Sequence, residues 1–585
     1  MHCCKECLII SNDVYQMKKN HHQLFDEAYK KQQQNQLAEA IKLYQEVLRI
    51  KPNYADALHF MGLCYAQLGD MKQAIYYFNQ AIEIKPKEAS LYNNLANAYK
   101  YSKEYERAIE AYQAAIDLNP SYAQAHNNLA AVYAIQGEHQ KALQYYHKAI
   151  HAQPDSAPIH HNLGLLLLQL KNLKAAETQF KNVLALNPDH LEAHFYLGVL
   201  YLNNNQLEAA KNAFQEVLRL NNEHVEALTN LGVIALKEDQ GQGAIDYFTK
   251  ALAYDNDHTE ARNNLAATFM HYDRFENALM HYDVLLKKDP NHIEYLYNSG
   301  VAQMALGHLP EALNLFEKLL FLEPNHFAAL NNLAAIYIRL EEREEAIKYL
   351  NKALKVKPND SATKFMLHAL NQDETETSVS LEYISNLFNN YALYYDQHMK
   401  GVLNYALPEH IAKILHQLPV IQVQDTLDLG CGTGLSGVVL REISQHLTGV
   451  DLSTKMLVQA KEKGLYDELI ESDVITFLET TRKHFDLAVA ADLVPYFGDL
   501  KPFFSALCKR LTPNGLFVFS SEISDDKAWK LQPSARFSHS SDYIHSLCKE
   551  LNLNLIRQEK ITGRKQDNEP LSIMLYVAQH TLNPP

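Results

Sequence analysis

Thr426-Leu-Asp-Leu-Gly-Cys-Gly-Thr-Gly434 is the stretch on which the reading of this chain turns. A short strand-forming run breaks there into three alternate glycines, Gly430, Gly432 and Gly434, and a helical pattern follows. Glycine reaches positive φ and carries no Cβ, so a ligand can lie against the backbone where the next helix begins. Nicotinamide sites space their glycines as G-x-G-x-x-G, which brings a pyrophosphate to the helix N-terminus. Here the spacing is G-x-G-x-G, and Asp428 stands two positions before the first glycine. An acid aimed at such a turn repels pyrophosphate and favours a ligand with a cationic amine.

Around this stretch, strands and helices alternate at α/β spacing. Candidate strands lie at 426–429, 447–450, 469–471, 487–490, 516–519, 554–558 and 573–578. The last two have no helix between them and read as an antiparallel hairpin joined by the polar loop 562–569, so the expected sheet has seven strands, five of them parallel. The segment 381–417 before the first strand is helical in pattern and carries Tyr391, Tyr395, Asp396 and His398.

The turn, with Asp451 ending the second strand, resembles the first two motifs of class I S-adenosylmethionine-dependent methyltransferases, and the similarity runs over roughly 385–580. The resemblance implies a Rossmann-like fold and S-adenosylmethionine as cofactor. It puts Asp428, Gly430, Cys431, Gly432 and Gly434 around the methionine end and gives the two ribose hydroxyls to Asp451. Leu452 and Met456 would cover adenine, and Asp473 would read its amino group. Ala490-Ala491-Asp492-Leu493-Val494-Pro495-Tyr496 corresponds to the motif lining the transferable methyl, which makes Asp492 a cofactor and a catalytic candidate. For Asp451 and Asp473 the plain alternative is helix capping.

Methyl transfer from a sulfonium is an in-line displacement that needs alignment and exclusion of water, and no covalent nucleophile. Cys431 therefore reads as a small packing residue within the turn. A general base is needed only for hydroxyl, thiol or protonated amine acceptors. Asp492, Tyr496, His539 and Tyr395 are the candidates, with His539 favoured by its natural pKa or else standing before a helix as a cap. Arg536 could grip an acceptor carboxylate or pair with Glu522 or Asp525. No Asn-Pro-Pro-Tyr follows the fourth strand, which disfavours methylation of base or glutamine nitrogen.

The first sixty percent of the chain repeats with a period of 34. Alanine recurs at 40, 74, 108, 142, 176, 210, 244, 278, 312 and 346, with an aromatic four residues later in every unit but the last, where Leu350 stands. That spacing shares one helix face. Proline closes most units, and each first helix has its own glycine or alanine, as at Gly62, Ala96 and Gly164. The pattern is similar to tetratricopeptide repeats, ten of them over 21–360 with a capping helix at 361–370. The domain scheme is thus a tail 1–20, an all-α solenoid 21–371, an acidic linker 372–384 and a methyltransferase-like domain 385–585. The whole most resembles predicted methyltransferases that carry tetratricopeptide repeats.

One repeat column is asparagine: Asn94, Asn128, Asn162, Asn230, Asn264, Asn298 and Asn332, with Phe60 and Tyr196 as internal exceptions. Asparagine is a poor helix former, so its recurrence wants a reason. The column resembles the asparagine ladder of O-linked N-acetylglucosamine transferases, which implies a concave groove that grips the main chain of a protein or peptide. The plain alternative is a solvated column.

A formal net charge of −15 removes the basic footprint of a nucleic-acid binder. No window offers the roughly 18–20 apolar residues that span a bilayer, and no signal-like segment opens the chain, so a cytoplasmic protein is expected. Seven scattered cysteines suit reduced thiols. Cys3, Cys4 and Cys7, with His21 and His22, lack the compact spacing of a zinc site, and no metal is expected. Oligomeric state is not legible. Three functions stay open: a methyltransferase whose solenoid captures its protein client, an interaction scaffold with a non-catalytic cofactor domain, and a small-molecule methyltransferase assembled into a complex by its repeats.

Overall fold

A computed structural model describes residues 20–371, 378–418, 423–524, 527–566 and 569–581. The cluster Cys3, Cys4 and Cys7, the linker stretch 372–377 and Asp525 lie outside the described residues. Two compact units divide the chain between Asn264 and Leu265, within the eighth repeat rather than at the linker.

The first unit is helical, from α1 (His21–Gln33) through α14 (Gly241–Tyr254) in consecutive pairs. Asn20 starts α1 with a reciprocal capping box to Gln23. Within each pair the small residue of the first helix faces the aromatic of the second. A Cβ added at Gly198 would stand 2.7 Å from Phe214 Cε1, and one at Gly62 2.7 Å from Phe78 Cε1, so the rings occupy the volume a side chain would take. The partners covary along the chain. Glycine faces phenylalanine at 62/78, 164/180, 198/214, 232/248 and 300/316, whereas alanine faces tyrosine at 28/44, 96/112, 130/146 and 266/282. Tyr112 and Tyr44 each donate a hydroxyl hydrogen bond, to Asn97 Oδ1 at 2.6 Å and Gln32 Oε1 at 3.0 Å. At 28/44, 96/112 and 266/282 a ring held through its hydroxyl by a polar side chain goes with a methyl opposite it, whereas a phenylalanine ring fills the glycine gap.

The turn inside each repeat is also periodic. Positions 35, 69, 103, 137, 171, 205, 239, 273, 307 and 341 all have positive φ, yet only three are glycine. The others are Asn, Asp, Lys and Glu, which adopt the left-handed conformation singly to end a helix.

The second unit begins in α15 (Thr259–His271) and carries the remaining repeats to α20 (Arg343–Val356) and the expected capping helix α21 (Ser361–Asn371). The α/β part follows with α22 (Leu381–Gln397), α23 (Leu407–His416), β1 (Val423–Leu429), α24 (Gly437–Arg441), β2 (Ser444–Asp451), α25 (Thr454–Glu462), β3 (Glu468–Glu471), α26 (Val474–Thr480), β4 (Phe485–Ala490), α27 (Lys501–Cys508) and β5 (Leu511–Ile523). β6 (Trp529–Leu531), β7 (Phe537–His539), α28 (Ser541–Glu550), β8 (Leu553–Gln566) and β9 (Glu569–His580) complete it. The strand order is β3-β2-β1-β4-β5-β7-β6, and β9 pairs antiparallel with both β5 and β8. All seven expected strands are present, in a sheet of nine. The two additional ones, β6 and β7, are three residues long, too short for periodicity to reveal.

Alternation along the strands splits the core between two faces. Leu427, Leu429, Phe517 and Phe519 pack with Phe477, Phe503 and Phe504; Val489, Val518 and Val577 pack with Ile411 and Ile414. Helices cover both faces, which is why the parallel strands read as continuous apolar runs. Phe365 and Ala369 of α21 pack against Val379, Leu531, Ala535 and Phe537, so the α/β part covers the apolar face of the capping helix. Residues 378–384, expected as linker, are built into it: Ser378 bridges Phe497, and Val379 N donates to Tyr496 O at 3.1 Å.

Gly198→Ala should lower stability by about 1–3 kcal/mol through overpacking. Adding Phe214→Leu, which recreates the Ala334/Leu350 pair of the last repeat, should recover part of the loss. Urea unfolding of the single and double variants checks this, and strict additivity would contradict it.

Candidate functional site

The turn after β1 is folded as the glycine pattern requires, with φ of +67, +55 and +85° at Gly430, Gly432 and Gly434. The three glycines differ in duty. A Cβ at Gly430 would meet Leu493 at 3.0 Å and one at Gly434 would meet Tyr466 at 2.9 Å, whereas at Gly432 it would meet nothing within 4 Å. Only Gly432 presents bare backbone to open space.

That space is a cavity of about 430 Å³, in the range of small-molecule sites, bounded by Gly430, Gly432, Asp451, Leu452, Met456 and Asp473 among others. Asp451 Oδ2 accepts from Gly432 N and Oδ1 from Ser453 N, both at 2.8 Å. Burial raises the Asp451 carboxyl above its usual range, and the Ser453, Gly432 and Leu452 N–H groups oppose that. Asp473 lines the cavity and also caps α26, with Oδ2 accepting from Thr476 N at 2.9 Å. Site residue and helix cap are here the same carboxylate. Val474, Ile475 and Asp499 line the cavity as well, and none was singled out in the sequence for it.

Asp428, expected at the ligand's amine, lies beneath the turn and does not line the cavity. It is 1% exposed and accepts the Tyr466 hydroxyl at 2.7 Å. Burial drives its carboxyl up to about 7, partly offset by the Tyr466 hydrogen bond and reinforced by Asp451. Gly434 and Cys431 are likewise outside the lining. Burial holds the Cys431 thiol far above its normal value, so it stays protonated and serves the turn by packing.

A cover is supplied by α22. Leu381, Ile384, Phe388 and Tyr395 project into the cavity wall. The helix is pinned at its middle and near its C-terminal end: Asn389 Oδ1 accepts from Ser453 Oγ at 2.8 Å, and Asp396 accepts from Thr433 and, at 2.6 Å, from Lys463 Nζ. Its sequence announced a helix; its docking over the turn was not legible, because both contacts depend on residues some 37 to 67 positions away.

The side of the cavity at Asp492 and Tyr496 is ionic. Arg536 donates to Glu522 Oε1 and Asp492 Oδ1, each at 2.6 Å, and to the Tyr496 hydroxyl at 2.8 Å, with the guanidinium 5.0 Å above the Tyr496 ring. Arg564 completes the cluster at longer range, 3.3 Å from Glu522 and 3.6 Å from Asp492. Glu522, one of the two expected partners of Arg536, is thus its partner in fact. Tyr395, Tyr496 and Asp492 also border a second cavity of about 160 Å³, whose wall includes Arg536 and Arg564. Burial raises the Tyr395 and Tyr496 phenols, so both remain protonated at neutral pH.

His539 is a correction. It lies in β7, 2% exposed and off the cavity wall, with Nε2 donating to Phe497 O at 2.8 Å and Gly498 O at 3.1 Å. Burial lowers it to about 4, against the pull of those carbonyls. It is a neutral strut that holds the 496–500 run, and Ser540 is the residue that caps α28.

The asparagine column is half-buried and largely engaged with the protein itself. Asn128 Nδ2 donates to Asn93 Oδ1 at 3.3 Å and Asn97 Oδ1 at 3.2 Å, and Asn162 Nδ2 donates to Asn127 Oδ1 at 3.0 Å. Asn94 meets His59, Asn298 donates to Tyr282, Asn332 bonds Tyr297, Asn230 bonds the Glu226 carbonyl, and Asn264 is not free either. Asn128 and Asn162 therefore tie one repeat to the previous one. That reason for an interior asparagine is invisible within a single repeat.

Comparison with known proteins agrees with this division. Residues 427–519 match the methyltransferase domain model, and 32–99 and 303–369 match the tetratricopeptide repeat model. Residues 87–289 match the C-terminal domain model of cilia and flagella-associated protein 70. The malonyl-[acyl-carrier protein] O-methyltransferase of Salmonella typhimurium is 31% identical over 24% of this chain and 55% of its own length. The ubiquinone biosynthesis O-methyltransferase of Idiomarina loihiensis is 29% identical over 18% of this chain and 45% of its own. The chain thus spans about half the length of these curated relatives. The solved structure of YrrB, a tetratricopeptide-repeat protein with an unusual peptide-binding site, is 29% identical over 32% of this chain and 95% of its own, with a TM-score of 0.29.

Asp428 gives a pH test. Its folded-state carboxyl is raised, so ionising it opposes folding, and stability is lost as pH climbs from its unfolded value near 3.8 through about 7. Asp428→Asn keeps an acceptor for Tyr466 and removes that loss. The variant's melting temperature relative to the unmutated chain should therefore rise between pH 5 and pH 8; a constant difference would contradict the assignment. Turn, carboxylates and sheet together with the family matches identify the chain as tetratricopeptide repeats fused to a class I methyltransferase domain.

Proposed function

We propose that the chain is an S-adenosylmethionine-dependent methyltransferase whose repeats hold a protein partner, and that the acceptor is a carboxylate borne by such a partner. When bound, S-adenosylmethionine supplies a methyl on a cationic sulfur, and the chain's residues have only to bind, orient and exclude water. Asp451 offers carboxylate oxygens to the ribose, Leu452, Met456 and Val474 offer apolar walls to adenine, and Asp473 has an oxygen left to accept from the base. Bare backbone at Gly432 lets the cofactor approach the turn, and Phe388 and Tyr395 of α22 close the cavity against water.

The observation that carries the acceptor reading is the pair of adjoining cavities at Asp492. Each candidate base is otherwise occupied: His539 stands elsewhere, the two phenols stay protonated, and Asp492 is engaged by two arginines. A carboxylate needs no base. Arg564, whose contacts are the long ones, has the slack to turn toward an acceptor anion. Relatives named for methylating a malonyl group on a carrier protein support the same chemistry. Those named for ubiquinone biosynthesis support the second reading, a small-molecule acceptor.

Incubation with methyl-labelled cofactor and cell extract separates these. Label should enter the protein fraction and be released by mild base as methanol, and Arg564→Met should cut incorporation at least tenfold. Base-stable label would refute the carboxylate; label confined to small molecules would refute the protein partner.

A further inference from the structure

The repeats hold a cluster that neither their packing nor methyl transfer uses. His161 in α9 (Ala157–Gln169), His190 at the start of α11 (Leu191–Asn203) and Glu192 in its first turn bring one ligand atom each to within 4.8 Å of one another. We propose that these three side chains form a binding site for a divalent transition-metal ion, zinc in the first instance. This revises the expectation of no metal.

The chain supplies its own controls. A histidine at the start of the first helix followed two positions later by glutamate recurs at 190/192, 224/226, 258/260 and 292/294. At 190, 224 and 258 the imidazole Nδ1 accepts the backbone N–H three residues on, which is an ordinary capping duty. What differs is the side chain that the preceding repeat sets against the cap. At the next junction it is Phe195, stacked on His224 with ring centroids 5.1 Å apart; further on it is Tyr297, 5.2 Å from His326. An aromatic ring is enough for that contact. At the junction in question it is His161, whose ring stands 4.9 Å from that of His190.

An imidazole there has a cost that a phenyl ring does not. His161 has a side chain only 13% exposed, and its Nε2 is buried without a hydrogen-bond partner. Glu192 Oε2 is 3.3 Å from that nitrogen, yet not in hydrogen-bonding alignment. Zinc ligands at roughly 2.0–2.1 Å in a tetrahedron stand about 3.3 Å from one another, with each neighbour off the nitrogen's lone-pair axis. The pair has that separation and that misalignment. The asparagine column is interrupted in the same repeat, where Tyr196 stacks on Phe180 at 5.3 Å and lies 6.2 Å from His161.

His190 pays a known part of the change. To bind through Nε2 it must carry its proton on Nδ1 and release the cap to Ala193, so a helix-cap hydrogen bond is exchanged for a metal bond. The site is accordingly an exchangeable one with three protein ligands, and Glu192, 64% exposed, leaves the fourth position to water.

Zinc titration by calorimetry of the full chain, in parallel with His161→Phe and Glu192→Gln, tests this. His161→Phe copies the next repeat, and Glu192 is mostly exposed, so circular dichroism should show both variants folded. Each variant should lose one zinc equivalent relative to the unmutated chain, whatever other cysteine or histidine sites contribute. An unmutated chain that binds no zinc, or an unchanged number of equivalents with unchanged affinity in both variants, overturns the proposal.

Discussion

Everything at the glycine turn depends on one carboxylate receiving hydrogen bonds from two directions. Asp451 ends β2, reaches across to Gly432 in the turn after β1, and reaches forward to Ser453 ahead of α25. The positive-φ turn is thereby held open, since Gly432 N is directed to a fixed acceptor and its missing Cβ leaves backbone bare to the cavity. The turn is also registered from below, because Gly430 N and Cys431 N both donate to Val450 O. A partly buried acid is tolerated because backbone N–H groups donate to it, and those same groups fix where its oxygens point.

The opposite end of the cavity follows a different rule. Two arginines and two carboxylates cluster there, Arg536 and Glu522 buried and Asp492 and Arg564 partly so, each arginine meeting both acids. β7 is what makes it possible. By adding to β5 at Glu522 and Ile523, it brings Arg536 from the preceding turn over Glu522, while His539 in the same strand braces the 496–500 run. The last repeats take part in the same construction, since the capping helix α21 buries Phe365 against Leu531 and Phe537 of β6 and β7.

Much of this was legible in the sequence. The period of 34, its alanine and aromatic columns and the seven principal strands follow from local spacing, because side-chain period is a local property; the acids at 451 and 473 were singled out through the family resemblance. What escaped was long-range or short-lived in sequence. β6 and β7 have three residues each; Tyr466, which closes over Asp428 and abuts Gly434, carries no local signal; and α22 reads as a helix without revealing what it covers. Asp428 was read as facing the ligand because it precedes the glycines, but strand alternation turns its carboxylate under the turn toward Tyr466. His539 was favoured for an intrinsic pKa that burial removes. The asparagine column was read as a ladder of amides facing a groove, whereas the bonds of Asn128 and Asn162 cross to the previous repeat.

The central claim is that the cavity beside Asp451 binds S-adenosylmethionine, and calorimetric titration of the full chain with that cofactor tests it most directly. Saturable binding of one equivalent is predicted, with Asp451→Ala weakening it at least a hundredfold, about 2.7 kcal/mol, for loss of a doubly used carboxylate. No heat of binding to the unmutated chain, or equal affinity in the variant, would contradict the account.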